Sequence, residues 1–254
     1  MPTMRAYIGP FVFIFFFSIM IVMGTFIVHL KLLPSFLSIV LVVVSFAVLT
    51  VIYRVKATLP QKEFIKVFGE VYLCLLAGAG LSLILFFVAR INIPSYLLSL
   101  LLVLCYHFII NKRTFKDFNI RAVSKNTEFL IVSVIGLFCL FGVINLHELV
   151  KSTLHFPSFE NLVSIFLVVV TEEVAYRYYI QKTGEKAFGT YGTVLVTTAL
   201  LALTRFFTTP LHVLPLVYYV ITNLTFGYGY TRDKNLSIPL ILHGIVSLFP
   251  YFFF

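Results

Sequence analysis

Apolar residues in this chain come in runs of membrane-spanning length, and nearly all charge sits in the short stretches between them. The runs fall near residues 7–30, 33–53, 68–89, 94–111, 129–149, 161–181, 191–207, 211–230 and 236–254. A helix rising about 1.5 Å per residue needs about 20 apolar residues to cross a hydrocarbon core roughly 30 Å thick. The pattern therefore predicts an all-α fold, a polytopic transmembrane helix bundle of about 8–9 spans. The runs 94–111 and 191–207 are short enough to be tilted, re-entrant or partial, which leaves the count open between those values. The first run, Tyr7 to Leu30, lacks a small-residue cleavage pattern at its end and reads as a span, not a cleavable signal peptide.

Composition supports this reading. The 254 residues are 60% apolar and 11% charged, against about 25% charged in a soluble domain. No polar stretch is long enough to fold separately, so residues 1–254 are expected to form a single integral membrane domain. The net charge of +9 raises the question of nucleic acid, but its distribution answers a different one. Fourteen Lys and Arg lie at the N-terminus and in alternate connections, three (Lys31, Arg90, Lys151) lie in the others, and Arg177 and Arg205 fall within spans. By the positive-inside rule the N-terminus and the basic loops face the cytoplasm, which predicts a multi-pass protein of the cell membrane and no nucleic-acid partner. Cys74, Cys105 and Cys139 lie singly in apolar runs without CxxC spacing, so they read as core or lipid-facing residues.

The clearest interruption is the basic loop from Asn111 to Asn126. It separates a packing half, 1–110, from a half, 127–254, that carries the polar groups of interest. Gly78 and Gly80 are expected to permit close helix contact. His29, His107, His147 and His155 have no convergent partners in the sequence and are set aside.

Three places in the second half combine polar groups with apolar surroundings. The first is Glu172-Glu173-Val-Ala-Tyr-Arg177. A carboxylate at the bilayer centre costs about 2.5–3.5 kcal/mol on insertion scales, so an intramembrane pair is a functional-site hypothesis by default. The plainer reading is a structural ion pair between Glu173 and Arg177, four residues apart in the favourable orientation. That pairing accounts for one carboxylate and leaves Glu172 to be explained, which favours the functional reading. The second place is Arg205. Glu172 precedes Gly189 by seventeen residues and Arg205 follows it by sixteen, so a helical hairpin turning at Phe188–Gly192 would bring both to one depth, roughly 25 Å from the turn. Arg205 would then neutralise a glutamate, unless it snorkels from a helix end. The third place is His243 with Ser247 one turn later on the same face, in a span led by Pro239. His212, after Pro210 at a span start, reads as interfacial.

These residues resemble the CPBP family of intramembrane proteases, which includes the eukaryotic CAAX-prenyl endopeptidase and many bacterial Abi proteins. The family's first motif is a glutamate pair, three residues and an arginine, which Glu172, Glu173 and Arg177 match. Its third is a histidine with a small polar residue four positions on, here His243 and Ser247. The stretch 226–243, with its glycines, charged turn and proline-led helix, also looks like the family, and the resemblance covers about residues 160–250. The second motif departs: the family has Phe-x-x-x-His, and the position expected for that histidine holds Arg205. Phe207 to His212 is one residue too long, and Pro210 interrupts it.

The resemblance implies a metal-free endopeptidase without cofactor, acting on a membrane-associated peptide or protein in the bilayer. In it Glu172 is the base, His243 an oxyanion donor helped by Ser247, and Glu173 with Arg177 the support. A desolvated glutamate is a better base near neutral pH, whereas an arginine beside it weakens that role. A metal held by Glu172, Glu173, His212 and His243 is an alternative that no HExxH spacing supports. Bacterial relatives often accompany bacteriocin genes as self-immunity proteins, so a family member that binds a membrane partner without cleaving it is the second expectation. A transporter is the third, disfavoured because no internal repeat is found.

Overall fold

Every apolar run within the described part of the chain is helical, and the described residues contain no strand. The computed structural model describes residues 58–91, 93–123, 126–150, 156–208 and 213–253. The runs 7–30 and 33–53, the N-terminus and His212 lie outside the described residues, as does the side chain of Arg205.

Helix α1 covers Leu59–Ile84 and runs on through a π-helical turn, Leu85–Ala89. It starts nine residues ahead of the apolar run, with Pro60 in its first turn and the Thr58 amide donating to Gln61 Oε1 at 3.1 Å. Helix α2 covers Ser95–Cys105 and also ends in a π turn, Tyr106–Ile110. Gly78 lets these two helices touch: a Cβ there would meet the Ser99 backbone nitrogen at 2.4 Å. Gly80 faces open space instead, so only one of the two glycines expected at a helix contact makes one.

Helix α3 covers Thr127–Ile144. Helix α4, Phe159–Glu172, is capped by the Ser158 hydroxyl, which accepts from the Asn161 amide at 3.2 Å. It passes into a π-helical segment, Glu173–Gln181, and then into α5, Lys182–Thr208. Gly189 breaks α5 with φ 74° and ψ 171°, a region open essentially to glycine alone. Residues 182–188 therefore extend α4, and 190–208 return beside it, the hairpin that the glycines predicted. Helices α6, Val213–Asp233, and α7, Ser237–Phe253, complete the bundle.

The described helices carry their apolar surface outward. The segments Leu59–Ala89 and Thr127–Ile144 each hold an 18-residue stretch, of mean hydropathy 2.5 and 2.4, enough in length and composition to cross a membrane, yet only 11% of each stretch is buried. Leu73, Phe87, Val132 and Val143 are each more than half exposed. Such faces are satisfied by lipid, not by a core.

Among the described residues, two clusters make the interior. The first joins Phe64 and Phe68 of α1, Val103 of α2, Tyr176, Tyr179 and Ile180 of the π segment, Leu200 of α5 and Tyr230 of α6. The second joins Leu137 and Phe141 of α3, Phe226 of α6, and Ile238, Leu242 and Val246 of α7. The motif segment belongs to one and the helix of His243 to the other, with α6 shared.

The charged connections gather at one end. Lys186 pairs with Glu63 at 3.5 Å, Lys234 with Glu185, and Asn126 donates to Asp233. The basic loop is pinned there: Asn119 donates to the Lys234 carbonyl, and the Arg121 amide to Asn235 and Ser237. His107, set aside on sequence grounds, is fully buried beside it. Its Nε2–H donates to the Thr114 carbonyl at 3.0 Å, so Nδ1 accepts from the Tyr179 hydroxyl at 2.7 Å. Its ring stacks on Phe118 with centroids 4.1 Å apart. The partners lie up to 72 residues away, which is why the sequence shows none of them.

Candidate active site

All nine residues of the π segment are buried, whatever their character. The wider turn replaces regular helical bonding where the glutamate-arginine motif begins, a placement common at functional sites. Glu173, Arg177 and Gln181 are spaced by four and form a ladder inside the protein. Arg177 Nε donates to Glu173 Oε2 at 3.3 Å and Nη1 to Gln181 Oε1 at 3.4 Å. Its Nη2 donates to Asn223 of α6 twice, to the backbone carbonyl at 3.1 Å and to Oδ1 at 2.8 Å. Gln181 Nε2 in turn donates to the Gly227 carbonyl at 2.9 Å. Gly227 is required here, because a Cβ would lie 2.9 Å from Val194 and 3.4 Å from Arg177 Nη1.

Glu173 links this ladder to α7. His243 Nδ1–H donates to Glu173 Oε1 at 2.7 Å, and Phe226 stacks on the imidazole with centroids 5.0 Å apart. One carboxylate thus accepts from Arg177 with one oxygen and from His243 with the other. Because Nδ1 is the donor, Nε2 is the ring nitrogen turned toward Glu172, at 3.9 Å from its Oε2. That is too long for a direct hydrogen bond. One water oxygen at about 2.8 Å from each atom fits the triangle.

The two glutamates differ in access. The Glu172 side chain keeps 17% exposure and the Glu173 side chain 2%. Glu172, His243 and Ser247 line a cavity of about 310 Å³ formed by α3, α4, α6 and α7, and Glu173 does not. The volume falls within the usual range for ligand pockets, about 300–1,000 Å³. Its other walls mix apolar residues such as Phe141 and Val246 with Tyr218, Thr222 and Asn223.

Of the residues singled out in the sequence, the structure brings Glu172, Glu173, Arg177, His243 and Ser247 to one place. His212 and the Arg205 side chain lie outside the described residues. Among the described residues, no three His, Cys, Asp or Glu side chains are grouped to hold a metal ion.

Residues 153–249 match the family model of the type II CAAX prenyl endopeptidase, Rce1-like. Over these residues the chain is similar to that family. The match takes in α4 to α6, most of α7 and every residue of the cluster, and it agrees with the CPBP resemblance carried by the glutamate-arginine and histidine motifs. The family is one of membrane-embedded proteases acting on peptide or protein substrates. No curated protein and no solved structure matches the chain.

Sequence reasoning missed Asn223, Gln181 and Tyr218. Asn223 carried a usable signal: it is a lone amide within an apolar span, four residues from Gly227 on the same face. Gln181 continues the four-residue spacing of Glu173 and Arg177. Tyr218 carried none, because a tyrosine in a span reads first as an interfacial anchor.

Proposed function

We propose that this chain is an intramembrane endopeptidase of the CPBP type that uses Glu172 to hydrolyse a peptide bond of a membrane-associated substrate. The observation that carries the reading is the placing of Glu172 on the cavity wall, 3.9 Å from His243 Nε2, while Glu173 holds the opposite ring nitrogen. Glu172 takes a proton from water as the water oxygen bonds to the scissile carbonyl carbon. The displaced electron pair goes to the carbonyl oxygen, where His243 Nε2–H, in the doubly protonated ring, donates a hydrogen bond, with Ser247 beside it on the cavity wall. Collapse of this adduct breaks the C–N bond, and the proton passes from Glu172 to the leaving amine. Arg177, Glu173 and Asn223 hold the donor in place. The protein works as a multi-pass protein of the bacterial cytoplasmic membrane.

A second reading rests on Arg205, which stands where the family has a histidine. In it the cavity binds a membrane peptide or protein without cleaving it, as an immunity protein would. Purified full-length chain in liposomes, given a pool of internally quenched peptides that includes farnesylated CAAX sequences, separates the two. We expect the wild type to cleave at least one peptide and Glu172→Gln to cleave none, because the amide takes no proton from water. No cleavage by folded wild type, or equal cleavage by Glu172→Gln, overturns the proteolytic reading. Restored cleavage in Arg205→His, with an inactive wild type, establishes the binding role.

A further inference from the structure

Among the described residues, two buried hydroxyls make no hydrogen bond, those of Thr198 and Tyr218. Thr198 is not part of the cavity wall, whereas Tyr218 is, on the face of α6 that also presents Thr222 and Asn223. Those two neighbours are already engaged. Thr222 Oγ1 donates to the Tyr219 carbonyl at 2.9 Å, and Asn223 spends its amide on the same carbonyl and its Oδ1 on Arg177. The side chain of Asn145, also on the wall, is likewise spent, donating to the Phe141 carbonyl at 2.9 Å. The Tyr218 ring is held by packing, with its centroid 5.8 Å from that of Phe141.

A buried phenol without an acceptor is a standing cost to the fold, and native proteins rarely leave one unless it serves a bound group. A tyrosine O–H is a donor that suits a carbonyl oxygen. The carbonyl the cavity is built to receive is that of a peptide, because Glu172 and His243 share its wall. We propose that the Tyr218 hydroxyl donates a hydrogen bond to the carbonyl oxygen of the bound peptide, as a second donor to the oxyanion beside His243. It transfers no proton: the O–H bond stays intact while negative charge grows on the acceptor. This role rests on the proteolytic reading, and it adds a donor to a site whose second-motif position holds Arg205.

Tyr218→Phe keeps the ring and its packing and removes only the hydroxyl. With full-length protein in liposomes and a cleaved quenched peptide as probe, we expect kcat to fall about 100-fold with KM changed less than about twofold, the signature of a donor used in the transition state. The unliganded variant should melt in detergent no lower than wild type, since it loses no hydrogen bond. Unchanged kcat/KM overturns the proposal, and so does a rise in KM with kcat intact, which would confine the contact to the ground state. A lower melting temperature in proportion to lost activity overturns it as well, by giving the hydroxyl a structural role. Glu172→Gln run alongside keeps the two ideas apart. If it is inactive while Tyr218→Phe is fully active, the protease stands and this inference falls; if it retains full activity, the protease reading itself is gone.

Discussion

Neighbouring residues on a helix point about 100° apart, and that angle gives Glu172 and Glu173 different lives. Glu172 meets the cavity. Glu173 is sealed between Arg177 and His243. Removing one partner of a buried, hydrogen-bonded ion pair leaves an uncompensated charge and costs about 3–5 kcal/mol. Glu173→Ala and Arg177→Ala are therefore expected to lower the detergent melting temperature and membrane abundance, both followed by immunoblot. Glu172→Gln, at the cavity wall, should leave both near wild type. A Glu173→Ala protein as stable as wild type would show that the pair contributes nothing to the fold.

Within α5, a backbone conformation does what no side chain could. Gly189 turns the chain with φ 74° and ψ 171°, and a Cβ there would meet nothing within 4 Å. Replacing it thus tests backbone strain without a clash. Gly189→Ala should destabilise by about 1–3 kcal/mol. Gly80→Ala, equally open but without positive φ, should be neutral or slightly stabilising, because it lowers the entropy of the unfolded chain. Equal melting temperatures for the two variants would exclude strain at the turn. The π segment is the second device at this scale. It buries two charged residues and an amide along with tyrosines, and Arg177 finds four acceptors from two helices there.

For the molecule as a whole, the ends of the helices carry the topology. The basic segments near 62–66, 182–186 and 232–234 are tied to one another through Glu63 and Glu185, and that near 112–121 joins them through Asn119 and Arg121, at one end of the bundle. We expect that end, and the N-terminus with it, to face the cytoplasm. Single cysteines at positions 60 and 116, in a chain lacking Cys74, Cys105 and Cys139, should react with an impermeant maleimide only after cells are opened. Labelling of position 60 on intact cells would reverse the orientation.

The helical class, the outward apolar faces and the hairpin at Gly189 were legible in the sequence, since run length, charge spacing and glycine are local properties that lipid and backbone sterics read directly. So were Glu172, Glu173, Arg177 and His243 as candidates, because a charged residue in an apolar run is conspicuous wherever it points. What only the tertiary structure decided is which partner each one has. Glu173 and His243 are 70 residues apart, Arg177 and Asn223 are 46 apart, and His107 finds Tyr179 across 72. No helical periodicity encodes such pairs. The first two arise where two interior clusters meet along α6, and there packing decides that one glutamate is a buried strut and its neighbour a wall of the cavity.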